Sequence, residues 1–167
     1  MLNFRRLFLI AFFVSIASIV TGYIIEYVLH IEPCPLCILQ RLTFGAIAIA
    51  LLIGILHDPQ IDGYILKSIY SIFTAILGVV GILLSSRQIW LQHLPLHQIP
   101  DCTAGFNKLF EVYPFFEALK KLFESSGECA EVNFTMLGIS LAEWSLGSFI
   151  LITLLCLSFF LIKKRRI

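Results

Sequence analysis

Four long apolar stretches constrain the fold of this chain more than any other feature of its sequence. A helix that spans a bilayer needs about 20 consecutive, mostly apolar residues, because the hydrocarbon core is about 30 Å thick. Residues 7–29, 38–56, 64–86 and 144–162 meet this requirement. Charged residues make up only 14% of the chain, against about 25% in soluble domains. The sequence therefore predicts an all-α membrane protein, a four-transmembrane antiparallel helix bundle in which residues 1–167 form a single domain.

The basic residues predict the orientation of these spans. Three basic groups lie near span ends that share one side of the bundle: Arg5 with Arg6, Lys67, and residues 163–166. Lys and Arg are enriched in cytoplasmic segments, so this side and both termini are assigned to the cytoplasm. The opposite side then receives two loops, residues 30–37 and 87–143. Because the basic residues form no single patch, nothing indicates a nucleic-acid partner.

The longer loop contains a segment with its own helical pattern. Between residues 106 and 123, apolar side chains recur at helical spacing and charged side chains occupy the other positions. Pro114 interrupts the pattern, because proline breaks a helix interior. We therefore expect two short interfacial helices that lie on membrane lipid and keep the neighbouring cysteines close to the bilayer surface.

Four of the five cysteines fall in the two outer loops. Cys34 and Cys37 form a Cys-x-x-Cys pair, a spacing shared by zinc sites, haem attachment sites and redox dithiols. Haem attachment requires His directly after the second cysteine, where this chain has Ile38. Zinc sites usually combine two such pairs, whereas Cys102 and Cys129 lie far apart in the sequence. The pattern favours a site without metal, and both a redox dithiol and a static disulfide remain open.

Cys37 is expected at the start of the second helix, with Arg41 one turn later. A helix N-terminus carries partial positive charge and free N–H groups, which favour a thiolate there. Residues four apart share a helix face, so Arg41 lies on the same face as Cys37. A charge inside a span is unfavourable. Arg41 therefore either extends toward the headgroups, or it stabilises a thiolate or a negative charge that develops on a bound ligand.

Cys102 and Cys129 both follow loop-forming sequences with Pro or Gly nearby. Two cysteine pairs that face one compartment can form a relay, in which a thiolate attacks a disulfide, forms a mixed disulfide and passes electrons on. A static disulfide that closes the long loop is the alternative. Cys156 lies in the middle of the fourth span, where a lone thiol is expected to pack as a small apolar residue.

A dithiol relay needs a final electron acceptor, and the sequence restricts the choice. It contains no Gly-rich dinucleotide fingerprint, no further cysteine set for an iron–sulfur cluster and no His pair within the spans for haem. A quinone remains, because it is apolar, dissolves in the membrane and accepts two electrons. A Cys37 thiolate beside Arg41 is the expected electron donor. Gln88, just beyond the third span, is able to hydrogen-bond a carbonyl-bearing ligand.

Taken together, these elements resemble the disulfide bond formation protein B (DsbB) family of bacterial inner-membrane quinone reductases. The matching motifs run from the first span to the fourth, in this order: Pro33-Cys34-Pro35-Leu36-Cys37 followed by Arg41, the segment from Gln92 to Pro95, Cys102 and Cys129 in one loop, Cys129-Ala130-Glu131, and Leu137-Gly138 followed by Trp144-Ser145-Leu146-Gly147. No single element is specific, whereas their combination and order are.

The resemblance implies a multi-pass protein of the bacterial inner membrane whose cysteine loops are periplasmic. Its implied activity is that of a thiol:quinone oxidoreductase, which reoxidises a periplasmic, thioredoxin-fold oxidase of the DsbA type and thereby supports protein disulfide bond formation. The implied electron acceptor is a membrane quinone, either ubiquinone or menaquinone. Arg41 matches the arginine that supports the quinone. Gln88 falls near a family position linked to quinone binding, although the residue types differ there.

The resemblance also implies a role for each cysteine. Cys34 and Cys37 are the quinone-coupled pair, with Cys37 as the thiolate that contacts the quinone. Cys102 corresponds to the cysteine that forms a mixed disulfide with the oxidase. Cys129 is its partner and pairs transiently with Cys34 to pass electrons inward.

Two alternatives differ in class from this interpretation. A vitamin K epoxide reductase-like enzyme is also a four-helix redox protein, but in that family the loop pair precedes the Cys-x-x-Cys pair. A structural membrane protein with static disulfides would never form a mixed disulfide with a thioredoxin-fold partner, which distinguishes it from a relay.

Overall fold

The computed structural model describes residues 4–30, 33–57, 63–95, 112–114, 116–117, 120, 127–130 and 134–164. Its long helices are α1 (Phe4–Leu29), α2 (Pro35–His57), α3 (Gly63–Gln92) and α4 (Leu141–Lys164). Each of them contains a segment long and apolar enough to cross a membrane. The predicted all-α fold with four spans is therefore confirmed. The interfacial helices predicted for residues 106–123 lie mostly outside the described residues, and so does Cys102.

The four helices form a ring: helices consecutive in the sequence pack against each other, and α1 also packs against α4. At the centre, the rings of Phe44 from α2 and Phe149 from α4 are stacked with their centroids 3.9 Å apart. Phe8 of α1 and Ala75 of α3 belong to the same buried cluster. The core thus receives side chains from all four helices and is separate from the cluster that contains Cys34 and Cys129.

Helix α2 begins at Pro35, before the predicted start of the second span at residue 38. Proline is favoured in the first helical position, where its missing N–H would have no partner in any case. The carbonyl of Cys34 accepts the N–H of Ile38 at 3.1 Å, and the sulfur of Cys34 accepts the N–H of Cys37 at 3.4 Å. Cys34 is therefore the N-cap of α2, and Cys37 lies in its first turn.

Helix α3 extends to Gln92, beyond the predicted end of the third span at residue 86. The hydropathy pattern marks where the chain stops being apolar, but a helix continues until a breaker intervenes, and the next one is Pro95. Leu84, Gln88 and Leu91 recur at helical spacing and are all buried. Gln88, expected in the outer loop, therefore lies on a helix and faces the bundle.

A short hairpin leads into α4; its strands are β1 (Thr135–Met136) and β2 (Ile139–Ser140), paired antiparallel. Leu137 and Gly138 form the turn with φ angles of 59° and 80°, the left-handed values that a tight hairpin turn requires. Ser140 and Glu143 then form a capping box: the Ser140 N–H donates to the Glu143 carboxylate at 2.7 Å, and the Glu143 N–H to the Ser140 hydroxyl at 3.4 Å. These bonds define the start of α4.

Helices α3 and α4 approach closely where two glycines of α3 face α4. A Cβ atom on Gly78 would overlap the hydroxyl of Thr153, and a Cβ atom on Gly81 would overlap the ring of Phe149. Small residues allow such backbone approach between helices in a membrane. Gly45 of α2 differs, because no atom lies within 4 Å of its Cβ position.

We expect the substitution Gly81→Ala to destabilise the bundle, because the added methyl group overlaps a fully buried phenylalanine ring. Overpacking of a well-packed core costs about 1–3 kcal/mol. Thermal unfolding of the purified protein in detergent should give a lower midpoint for Gly81→Ala and almost no change for the matched control Gly45→Ala. Equal midpoints for the two variants would contradict the close packing of α3 on α4.

Candidate functional site

The Cys34–Cys37 pair lies at the start of α2, and both residues are half-buried free thiols. Their sulfur atoms are 2.9 Å apart, with the thiol of Cys34 donating to that of Cys37. Because Cys34 caps the helix and Cys37 lies in its first turn, the local helix geometry alone brings the two sulfurs together. Two thiols in contact can close into a disulfide by releasing two electrons and two protons.

A third cysteine reaches this pair from a distant part of the chain. A short 3-10 helix (Gly127–Ala130) lies against α2 and α3 and buries Cys129 in a cluster with three leucines, Leu36, Leu84 and Leu91. Cys34 packs against this cluster. A hydrogen bond with the Cys129 thiol, together with burial, raises the pKa of Cys34 to about 12, although the contact with Cys37 opposes this shift. In the fully reduced site Cys34 is therefore a protonated thiol that contacts both other cysteines.

The structure thus brings together three of the four cysteines that the sequence singled out. Cys102 lies outside the described residues, and its role stays a prediction. Cys156, on α4, is buried in the central core among apolar side chains, in a different cluster from Cys34 and Cys129. Its burial agrees with the expected packing role.

Two glutamines connect the sulfur atoms to the interface between α2 and α3. The side-chain amide of Gln88 donates to the sulfur of Cys37 at 3.2 Å and lies 3.6 Å from that of Cys34. Gln40 of α2 in turn donates to the side-chain oxygen of Gln88 at 2.7 Å. Both glutamines are buried. Sequence reasoning missed Gln40, although its position three residues after Cys37 places the two on one helix face.

Arg41 points from α2 to α1, where its guanidinium group contacts three groups. It forms an ion pair with Glu26, donates to the carbonyl of Gly22 at 3.0 Å, and lies 5.0 Å from the ring centroid of Tyr23. Gly22 makes room for it, since a Cβ atom there would lie 3.0 Å from Nε of Arg41. With 17% of its side chain exposed, Arg41 is held within the bundle rather than extended freely to the headgroups.

Glu26 is the second site residue that sequence reasoning missed. It is an acidic residue within the predicted first span, and a charge in a span is generally paired with another charge. That rule, applied to Glu26 and Arg41 together, is the signal that could have predicted the ion pair. The pairing leaves this part of the site close to electrically neutral.

Two neighbouring cavities lie between the helices next to Cys37. The smaller one, about 30 Å³, lies between α1, α2 and α4 and is lined by Cys37, Gln40 and Arg41 among others. The larger one, about 240 Å³, lies between α1 and α4. Both are lined by the same three residues at their junction: Ser18, Leu141 and Ser145.

A third cavity is a groove of about 610 Å³ between α1 and α2, and Tyr23, Glu26 and Arg41 lie along it. Cys37 lines the small cavity but not this groove. Gln88 lines none of these three cavities and instead faces the sulfur atoms. Within the described ranges, no group of three or more His, Cys, Asp and Glu side chains is placed to hold a metal ion.

The geometry therefore contains a row of thiols that ends at a partly apolar cavity. Cys34 packs against the cluster that buries Cys129, Cys34 contacts Cys37, and Cys37 lines a cavity together with Arg41. Thiol–disulfide exchange requires such contacts between successive sulfurs. The arrangement is suited to carrying two electrons from the loop that bears Cys129 toward the interior of the bundle.

Comparison with known proteins identifies the family of this chain. The family model described as "Disulfide bond formation protein DsbB" matches residues 4–159. Disulfide bond formation protein B of Stutzerimonas stutzeri is 37% identical over 153 residues, which cover 92% of each chain. The protein of the same name from Acinetobacter baumannii is 41% identical over 145 residues, covering 86% of this chain and 82% of that relative. Disulfide bond formation protein B 1 of Pseudomonas aeruginosa is 34% identical over 146 residues, covering 87% and 88% of the two chains.

The contact between Cys34 and Cys129 predicts a specific cross-link. In a variant that carries Cys37→Ser and Cys102→Ser, mild oxidation should join Cys34 to Cys129, because Cys34 has lost the neighbouring thiol of Cys37 and Cys129 has lost Cys102, the partner that the sequence predicts for it. Peptide mass spectrometry of the digested protein identifies the linked pair. The buried Cys156 is the internal control and should stay unlinked. Recovery of Cys34 and Cys129 as separate free thiols would contradict their proximity.

Proposed function

Because the chain belongs to the DsbB family of disulfide bond formation proteins, we propose that it is a membrane thiol:quinone oxidoreductase. It reoxidises a periplasmic, thioredoxin-fold oxidase of the DsbA type and passes the electrons through two cysteine pairs to a membrane quinone. The observation that carries this proposal is the series from Cys129, whose buried cluster packs against Cys34, through Cys34 to Cys37, which ends at the cavity lined by Arg41.

The relay starts with a disulfide between Cys102 and Cys129 and another between Cys34 and Cys37. A thiolate of the oxidase attacks Cys102 and displaces Cys129 as a thiolate. The second thiol of the oxidase then attacks the mixed disulfide, so that the oxidase leaves with its own disulfide and Cys102 is reduced. The oxidase has lost two electrons and two protons, and the loop pair has gained them.

The second exchange moves these electrons along the contacts between the sulfurs. Cys129 attacks Cys34, which breaks the Cys34–Cys37 bond and leaves Cys37 as a thiolate. Cys102 next attacks Cys129, which restores the loop disulfide and reduces Cys34. The result is a reduced Cys34–Cys37 pair at the start of α2, with Cys37 lining the small cavity.

The residues around Cys37 fit a quinone as the final acceptor. A quinone bound there would supply an acceptor for the two electrons and two protons that the Cys34–Cys37 pair releases when its disulfide re-forms. A cavity of roughly 150 Å³ holds a benzene ring, so the cavity of about 240 Å³ between α1 and α4 has room for a quinone ring while the one of about 30 Å³ does not. We therefore infer that the ring lies at the junction of the two cavities, beside Ser18, Leu141 and Ser145, and faces Cys37 and Arg41, which line the smaller cavity.

The groove between α1 and α2 is less suited to the acceptor, although it also borders Arg41. Electrons leave the relay from Cys37, which lines the small cavity; the groove shares only Arg41 with that cavity, whereas the cavity between α1 and α4 shares Ser18, Leu141 and Ser145 with it. A strong oxidase of the DsbA type has a potential of about −120 mV, so an acceptor of higher potential is needed for net oxidation. Quinones of the membrane pool satisfy this need, and both ubiquinone and menaquinone are tested below.

We also propose that the protein lies in the bacterial inner membrane with both termini in the cytoplasm and the cysteines on the periplasmic side. Arg5 and Arg6 are exposed at the start of α1, and Lys67 of α3 lies 5.6 Å from the ring centroid of Phe4. This contact supports one common side for these basic residues. Cys34 and Gln88 lie at the other ends of their helices, as the positive-inside rule requires for a periplasmic site.

The proposal predicts quinone reduction by the purified protein. With a reduced DsbA-type oxidase, a soluble ubiquinone or menaquinone analogue should be reduced catalytically, as followed by its absorbance. Cys37→Ser and Cys102→Ser should both abolish turnover, because each interrupts a different cysteine pair. Cys156→Ala is the matched control and should keep it. No turnover with either quinone by a folded wild-type protein would refute the proposed function.

Arg41 should matter for the affinity of the quinone. Replacement by Met keeps much of the side-chain volume but removes a charged hydrogen-bond donor, an interaction worth about 1.5–3 kcal/mol. We expect Arg41→Met to raise the apparent KM for quinone about tenfold or more, while Arg6→Met, exposed at the far end of α1, leaves it unchanged. An apparent KM within twofold of the wild-type value would contradict this role.

A further inference from the structure

The paired glutamines between α2 and α3 have an arrangement that a merely structural link would not need. A side-chain amide buried without a hydrogen-bond partner costs about 1–3 kcal/mol, so two buried glutamines are expected to bond each other. The bond from Gln40 to Gln88 satisfies that need at 2.7 Å. The remaining amino group of Gln88 is nevertheless directed at the two sulfur atoms, at 3.2 Å from Cys37 and 3.6 Å from Cys34.

The direction of the Gln88 amide follows from Gln40. The amino group of Gln40 donates, so it selects the oxygen of Gln88 as its acceptor. The amino group of Gln88 must then lie on the opposite side, where the sulfurs are. Without Gln40, the Gln88 amide could rotate and present its oxygen to the sulfurs, and an oxygen repels a thiolate.

We propose that Gln88 is a catalytic residue that stabilises the thiolate of Cys37 through an N–H hydrogen bond, and that Gln40 is the positioning residue that keeps the Gln88 amide in the donating orientation. This inference rests on the proposed relay, in which the attack on Cys34 leaves a negative charge on Cys37. Hydrogen bonds with a charged partner are roughly twice as strong as neutral ones. The stabilisation therefore appears mainly when the thiolate forms.

The surroundings of Cys37 explain why a neutral donor is needed there. Among the described residues, Cys34 and Gln88 are the side chains that donate to its sulfur. Cys34 no longer has an S–H group to donate once its sulfur forms a disulfide during the exchange. The guanidinium group of Arg41 is engaged with Glu26 and the carbonyl of Gly22, so its charge is partly compensated. Gln88 takes no part in the exchange itself, so its N–H remains available to Cys37.

The decisive measurement is the rate at which iodoacetamide alkylates Cys37 in the reduced protein at neutral pH, resolved by peptide mass spectrometry. The variants are Gln88→Met, Gln40→Met and the double variant, and Gln92→Met on the same helix is the matched control. Methionine keeps the length of the side chain without a strong donor. We expect Gln88→Met to slow alkylation about tenfold and Gln40→Met to slow it less, with Gln92→Met unchanged.

The double variant separates thiolate stabilisation from structural support. Replacing both partners of a buried hydrogen bond with apolar groups of the same shape is nearly neutral for stability, whereas replacing one leaves a buried polar group unpaired. We expect the double variant to regain a wild-type unfolding midpoint and yet to remain slow in alkylation. A double variant that is alkylated within twofold of the wild-type rate, or faster, would overturn the proposal.

The same variants distinguish this inference from the relay itself. In quinone turnover, Gln88→Met should lower kcat while leaving the apparent KM for quinone unchanged, which is the opposite of the pattern expected for Arg41→Met. The alkylation assay contains neither quinone nor oxidase. If the wild-type protein reduced no quinone, the proposed function would fail, whereas the alkylation rates would still decide the role of the two glutamines.

Discussion

The first turn of α2 is the part of the structure on which the site depends. Its backbone N–H groups are free of helical partners, and the sulfur of Cys34 accepts one of them while its carbonyl closes the turn with Ile38. This capping places Cys37 one turn from Cys34 and aims Gln40 and Arg41, on the following turn, toward two different neighbouring helices. One local hydrogen-bond pattern therefore sets the direction of the α2 side chains at the site.

Much of the fold could be predicted because a membrane span is determined by the hydrophobicity of its own consecutive residues. The four spans, the position of the Cys-x-x-Cys pair at a helix start and the shared face of Cys37 and Arg41 all follow from local sequence. The partners could not be predicted in the same way. The spans are apolar on nearly all sides, so the sequence pattern does not specify how each helix is rotated, and rotation decides that Gln40 meets Gln88 and that Arg41 meets Glu26.

The helix ends were the other difference between prediction and structure. Hydropathy predicted a third span ending at residue 86, whereas α3 continues to Gln92 and carries Gln88 into the site. The packing of Cys129 against Cys34 depends on a 3-10 helix that no periodic pattern in the sequence predicts.

The packing density differs along the bundle. Glycines let α3 and α4 pack tightly around Phe149, whereas α1 and α4 leave a cavity between them that adjoins the small cavity lined by Cys37. A tightly packed core thus supports an end that is open to a ligand.

The ion pair between Glu26 and Arg41 also bears on how the chain enters the membrane. Insertion of an isolated helix that carries an arginine is opposed by about 2.5–3.5 kcal/mol when the charge lies at the bilayer centre, and by less toward its surface. Glu26 lies near the end of α1, which precedes α2 in the chain, and Arg41 is in α2. Glu26 is therefore synthesised before Arg41 and is available as its counter-ion when α2 inserts. The two helices are therefore suited to integrate as a hairpin whose charges cancel, and the residue that supports the redox site need not hinder biogenesis.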